Sequence, residues 1–497
     1  MELQFKKTLY PCLDTVLWEV RNQEQTLEIR LPEGMPDVGR IVAAWGQPVL
    51  RSKEWRSREA SLSGGIQVWV LYAPEDGTRP RCLEGWMPVQ MHFDLPEDSP
   101  EGSLRVSILP RFVDARSVSA RKIMVRAGIA AMMQALCPMS AEAVRPEGVP
   151  EDMELLEHTY PLRLPREAGE KTFQLDEELT LPPSAPEAEK LIYFRMQPCI
   201  GEQKVLGSRL VFRGSGKLHV LYASEEGQLF SWDFEIPISQ FAELKEGYSP
   251  DAQADVLLCP TSVELELDEE GHFRLKSGMT AQYLVDDISF LELAEDAYIP
   301  GREVKLTQQS LELPAILETR RETLSGEQAI PSEEGTVADV QFLPDYPRQF
   351  KTGDGMHLEA SGTVQILCYG EDGMLRSGSA RWEGQRDLPA DDSSRSLTFP
   401  GIPSAELLPG GMAVKLELPM TVTTMGSQGL PMLTGAELGE PRKPDPQRPS
   451  LILRRAEGNS LWELAKASGS TRSAIWKANG LEADPVPGQM LLIPVGG

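Results

Sequence analysis

The sequence has no long hydrophobic run. No window approaches 18 uninterrupted apolar residues, and the apolar stretch 129–136 is too short to cross a bilayer as a helix. No apolar segment follows the lysines of the opening MELQFKKTLYPCLDT, so no secretory leader is predicted and a cytoplasmic location is expected. Cysteine is sparse. Cys12, Cys82, Cys137, Cys199, Cys259 and Cys368 never form a CxxC pair, which argues against a disulfide framework and predicts reduced, mostly buried thiols. Histidine is sparser still: His92, His158, His219, His272 and His357 show no HxxxH or HExxH spacing. His219 lies out of phase with the apolar residues of its segment and is expected to face solvent. Neither a metal nor a cofactor is predicted. Positive charge is in deficit, 49 basic against 75 acidic residues, for a net charge of −26. Such a body repels phosphate, which disfavours nucleic acid and anionic membrane surfaces as partners.

Catalytic motifs are missing as well. There is no GxSxG elbow. Gly214-Ser215-Gly216-Lys217 departs from a phosphate loop, with Val211 in place of the first glycine and Leu218 in place of the Ser/Thr, so it reads as a turn before a strand. Acidic pairs such as Asp286-Asp287 are expected from composition alone. These absences predict a protein that is not an enzyme.

What is present is a repeat. Residues 66–77 read IQVWVLYAPEDG, residues 216–227 GKLHVLYASEEG and residues 362–373 GTVQILCYGEDG. The closing Gly77, Gly227 and Gly373 are 150 and 146 residues apart, a domain-sized period. Each copy alternates with period two: Val68, Val70 and Tyr72; Leu218, Val220 and Tyr222; Val364, Ile366 and Cys368. That pattern predicts a half-buried strand. The acidic-acidic-Gly ending predicts a hairpin, with a return strand over 82–89, 229–238 and 374–382. Pro88 and Pro237 mark a strand end or an edge. Further alternating segments, few helical patterns, 40 prolines and 42 glycines indicate a mainly β fold of three sandwich-like or barrel-like domains. Their expected bounds are 1–137, 138–300 and 301–433, the second and third opening on an acidic leader. Residues 434–450, TGAELGEPRKPDPQRPS, predict a stiff solvated tether.

Residues 451–497 form a different module, of β-α-α-β order. Ser460 and Glu463 make a capping box, Leu461, Leu464 and Ala465 recur at helical spacing, and Gly469 stops the helix. Thr471 caps a second helix carrying Ile475 and ending at Asn479-Gly480; Pro487-Gly488 turns into a last strand. Five cations against four anions leave this module at +1 and the rest of the chain at −27.

The strings Gly458-Asn459-Ser460-Leu461-Trp462-Glu463-Leu464-Ala465, Asn479-Gly480-Leu481 and Pro487-Gly488-Gln489-Met490-Leu491-Leu492-Ile493-Pro494 resemble a LysM domain; Asn459 stands where that family usually has Asp. The repeats, with Ser119-Ala120-Arg121-Lys122-Ile123 and the opening Leu31-Pro32-Glu33-Gly34-Met35-Pro36-Asp37-Val38, resemble the SPOCS domains of SipL/SpoVID-type spore-coat morphogenetic proteins. Copy three is the weakest match, with Cys368 for Tyr and no proline-ended return strand. The resemblance implies a spore-coat encasement scaffold in the mother cell, at the forespore surface. Its LysM module would bind the basal-layer coat ATPase, stage IV sporulation protein A, alongside other coat proteins.

Contacts to a protein partner are expected from Gly458, Asn459, Ser460, Leu461, Asn479, Gly480 and Leu481. Trp476 serves as the apolar anchor, because it sits about 100° round the helix from the core residue Ile475. Trp462 is expected in the core. The alternative is binding of an N-acetylglucosamine polymer, as in peptidoglycan, with Asn459 and Asn479 meeting acetamido groups; a cell-wall hydrolase is the third and weakest reading. The β repeats are either spacers or a scaffold that pairs through sheet edges.

Overall fold

The structure is a computed structural model describing residues 3–495, other than 98, 331–334, 353–354, 389–393, 410–412, 442–448 and 457–459. The fold is mainly β, with two short helices near the C-terminus. One strand pattern occurs three times. The first unit holds β1 (Gln4–Arg30), β2 (Val38–Arg56), β3 (Glu59–Pro74), β4 (Arg81–Asp94), β5 (Ser103–Ser119) and β6 (Lys122–Glu147). The second holds β7 (Glu154–Leu179), β8 (Lys190–Leu206), β9 (Arg209–Ala223), β10 (Leu229–Glu243), β11 (Gln253–Leu267) and β12 (Phe273–Tyr298). The third holds β13 (Arg302–Ala329), β14 (Gly335–Pro344), β15 (Arg348–Thr352), β16 (Gly355–Gly370), β17 (Leu375–Leu388), β18 (Ser394–Pro400), β19 (Ser404–Leu407) and β20 (Ala413–Pro441).

Each unit is two antiparallel sheets. Its first and last strands pair along nearly their full length, Gln4↔Glu147 to Arg30↔Lys122 in the first unit. A meander packs beside that ladder: β2-β3-β4, β8-β9-β10 and β14-β16-β17. The long ladders all bulge near the middle, skipping Val16, Arg166 and Leu317, which are 150 and 151 residues apart. Strands therefore overrun the expected boundaries. β6 continues past residue 137 to Glu147, and β20 passes residue 433 to Pro441, with Leu438 opposite Val304. The expected tether is thus strand over 434–441, because the N-terminal half of β13 supplies its partner; residues 442–448 lie outside the described residues. Pro88 and Pro237 sit inside β4 and β10 rather than at strand ends, opposite Gly65 and Ser215. Both are edge strands of their meanders, where a missing N–H costs no ladder bond.

The hairpin strands are buried on both faces, not half-buried. Val68, Val70 and Tyr72 pack on their own unit's long ladder, while Trp69 and Leu71 meet the second unit. Trp45 stacks on Tyr193 at 5.0 Å, and Trp69 meets Phe194 edge-on at 4.9 Å. The three units close on one another through a repeated joint. In each meander the first strand has a bulge, at Val42, Ile192 and Ala338, whose residue has no ladder partner. Its carbonyl accepts a bond from the neighbouring unit's return strand: Cys82 Sγ to Ile192 O (3.2 Å), Ser231 Oγ to Ala338 O (2.9 Å) and Ser377 Oγ to Val42 O (2.5 Å). The last joint returns from the third unit to the first, so the units form a closed ring. At its centre the long ladders share one apolar cluster, among them Cys12, Ala143, Leu164, Leu293, Leu313 and Met432.

His219 is placed differently from its expectation. It is 7% exposed, because the far face of β9 is covered by β14 of the third unit. Nδ1 meets Asp233 Oδ1 at 2.8 Å, and Nε2 lies 3.0 Å from Asp339 Oδ1, a charge contact rather than an aligned hydrogen bond. Burial disfavours the imidazolium, but Asp339 and Asp233 outweigh it and raise the pKa to about 9. In the first unit, 150 residues earlier, the same position is Trp69. The joints share a backbone plan and differ in what fills them.

Candidate binding surface of the C-terminal module

The module consists of β21 (Leu451–Arg455), α1 (Leu461–Ser468), α2 (Arg472–Asn479) and β22 (Met490–Pro494). Its helices are short, so their ends need capping. Ser460 Oγ accepts from Glu463 N (3.2 Å) while a Glu463 carboxylate oxygen accepts from Ser460 N (3.1 Å), the capping box read from sequence. Thr471 caps α2 through Ala474 N (3.1 Å). Gly469 and Gly480 close the helices at φ 63° and 56°, a region where a Cβ is strained. Trp462, Leu464, Ala465, Ile475, Leu491 and Ile493 form the core, with Trp462 6% exposed.

The expected contact residues do not gather into one open groove. Gly458 and Asn459 lie outside the described residues. Ser460 is engaged in its cap, Leu461 is buried at 7% exposure, and Leu481 packs against the core. Asn479 is a clasp: Nδ2 donates to Ile475 O (2.8 Å) and Leu492 O (2.6 Å), and Oδ1 accepts from Leu492 N (2.7 Å). Both amide donors are committed to backbone, which corrects the reading of this side chain as one free to meet an acetamido group. Trp476 stands out, at 37% exposure.

Sequence reading missed a second apolar surface. Leu451 pairs with Pro494, Leu453 with Leu492 and Arg455 with Met490, which places one face of each residue row on the outer side of the sheet. Leu451, Leu453, Met490 and Leu492 are 50%, 61%, 52% and 39% exposed. The signal was legible: β21 and β22 are apolar at consecutive positions, whereas a strand covered on one side alternates.

The opposite side of the module is held by the ring. Trp462 Nε1 donates to Asp296 Oδ2 (2.9 Å), and Lys466 Nζ reaches both Asp296 oxygens (2.6 and 2.7 Å). Arg472 bonds Glu154 Oε2 (3.1 Å) and Leu155 O (2.9 Å) and lies over the Trp462 ring. Tyr298 completes the seat, edge-on to Trp462 at 4.9 Å. The module is therefore docked on the ends of β7 and β12, with its outer sheet face turned to solvent. No helix is long and apolar enough to cross a membrane among the described residues, and no group of three or more His, Cys, Asp or Glu side chains there could hold a metal ion.

Residues 456–494 match the LysM domain family. No curated protein and no solved structure matches the chain.

Proposed function

We propose that this protein is a non-enzymatic assembly scaffold whose LysM module docks a protein partner while the β ring holds the module in a set orientation. The observation that carries the reading is the solvent-facing apolar patch of Leu451, Leu453, Met490 and Leu492 on a module otherwise closed by capping, with Trp476 exposed on α2. Apolar surface of this kind gains most when a partner covers it, and aromatic anchors carry a large share of such energy. With the resemblance of the repeats to SPOCS domains, the partner proposed is the basal-layer coat ATPase, stage IV sporulation protein A, and the setting is coat encasement at the forespore surface in the mother-cell cytoplasm. The ring supports a rigid scaffold over three swinging spacers, because its joints close from the third unit back to the first.

The match of residues 456–494 to LysM favours a second reading, binding of an N-acetylglucosamine polymer. The engaged Asn479 amide weighs against side-chain recognition of acetamido groups at that loop. Pulldown of the coat ATPase with the full chain and with Leu453→Ser, beside calorimetric titration with chitin oligomers, separates the two. Retention that Leu453→Ser abolishes, with no heat from chitin, supports the scaffold. Micromolar chitin binding without ATPase retention overturns it in favour of the glycan.

A further inference from the structure

Where the three units meet, β2 and β5 of the first, β8 and β11 of the second and β13, β18 and β20 of the third line a cavity of about 360 Å³. Part of its wall is apolar, with Leu109, Met196, Leu258, Phe399, Ile402 and Met420, beside polar groups such as Gln47 and Gln197. Four charged side chains line it: Arg195, Asp255, Arg321 and Glu322. The two acids have their own cations. Asp255 pairs with Arg105, and Glu322 with Arg386 (2.9 Å) and Arg320 (3.6 Å). Neither arginine forms an ion pair with a described carboxylate, although at Asp339, where burial is outweighed, the positive charge of Arg195 contributes, after His219 and Gln341, to holding the carboxyl below its usual range. Among the described residues, Arg321 bonds the carbonyl of Gly201 (3.2 Å).

Arg195 is the sharper case. It is 6% exposed, it makes no hydrogen bond or ion pair with any described residue, and its Nε and Nη1 are buried without an acceptor. It stands in a cross-strand row with His219 and Asp233, and Asp339 lies across from that row; but Asp233 is engaged by His219 and Lys217, and Asp339 by His219 and Gln341. A guanidinium taken out of water and left without an acceptor is strongly unfavourable, so such groups are normally met by an anion or by ordered water. A planar fork suits an oxyanion, and the apolar part of the wall suits a hydrocarbon body.

We infer that this junction cavity is a binding site for a small amphiphile, a carboxylate with an apolar tail, with Arg195 holding the head and Arg321 drawing it in from the rim. Its position is part of the inference: the ligand would touch all three units at once, so binding would tighten the ring. The site is independent of the LysM surface.

Calorimetric titration of the full chain with sodium octanoate and with octan-1-ol tests this, since the two share a tail and differ in the head. One octanoate should bind at least about tenfold more tightly than octanol, the scale of one charge-assisted hydrogen bond. Arg195→Met keeps the stem and removes the charge, and should erase that preference with the melting temperature kept or raised. Arg321 is exposed, so Arg321→Gln folds whatever happens at Arg195, and it should narrow the preference at least about threefold by losing one rim charge. Octanoate binding no tighter than octanol, or a preference unchanged in Arg321→Gln, overturns the inference.

Discussion

The joint between the second and third units makes stability depend on pH in a direction that can be worked out. The imidazole of His219 has its pKa raised from 6.5 to about 9 despite burial, by Asp339 and Asp233. A raised pKa stabilises the fold fully below 6.5, and this contribution fades as pH climbs through about 9. The displacement is equivalent to about 3 kcal/mol as an order of magnitude. On the acid side, burial is outweighed at Asp233 by His219 and Lys217, which hold its pKa near 2; that contribution is present above 3.8 and is lost as pH falls towards 2. The plateau of stability therefore lies between roughly pH 4 and 6.5. With about 2 cal/mol/K of unfolding entropy per residue, a ring that melts as one body would lose about 3 °C between pH 6.5 and 9 from this group. Scanning calorimetry of the wild type and of His219→Gln across pH 6 to 9.5 reads the difference, and the imidazole carbon shift reads the titration itself. The gap between the two proteins should close as pH rises. Asp339→Asn added to His219→Gln should recover part of the loss at pH 6, because the single variant leaves a buried carboxylate facing a neutral group. A gap that stays constant over that range, or an imidazole titrating below pH 7, would refute the reasoning.

Other expectations follow from single contacts. Trp476→Ala should weaken retention of the protein partner by about 2 kcal/mol, near thirtyfold, with melting unchanged, since the side chain lies 37% exposed; equal loss of both would assign it to the core. Asn479→Ala should destabilise the module by about 2–3 kcal/mol, because three backbone groups lose their partner, and hydrogen exchange at Leu492 would report it. Asp296→Ala should release the module from the ring by removing the acceptor of both Trp462 and Lys466, seen as narrower amide resonances from residues 461–479. Gly214→Ala should cost at least about 3 kcal/mol in chemical denaturation, as a Cβ there would collide with the Cys199 carbonyl oxygen; Gly64, 150 residues earlier, meets Val49 in the same way.

The glycine and bulge positions explain why so much was legible in the sequence. A period near 150 recurs in Gly77 and Gly227, in Gly64 and Gly214 and in Val16 and Arg166, since each sits where backbone geometry itself restricts the residue. Capping of α1 and α2 was legible for the same reason: Ser460, Glu463, Thr471, Gly469 and Gly480 act on neighbours within a few residues. The boundaries were not, because residues 138–147 and 434–441 are polar enough to read as linkers and become strand only by pairing with partners far along the chain. His219 was misplaced because alternation tells which residues share a face, not whether the other face meets water.

Residue order alone carries whatever depends on near neighbours: strand alternation, hairpin turns, helix caps, the triplicated period and the limits of the C-terminal module. Features that depend on surfaces meeting across hundreds of residues emerge with the folded molecule. Those are the closing of three units into a ring through Cys82, Ser231 and Ser377, the burial of His219 against Asp339, the burial of Arg195 at the junction cavity with Nε and Nη1 unbonded, and the docking of Trp462 on Asp296 that leaves Leu453 and Leu492 to solvent. Side-chain order along a chain encodes the first kind of contact through short-range sterics, whereas the second kind depends on which of many compatible faces the folded units present to each other.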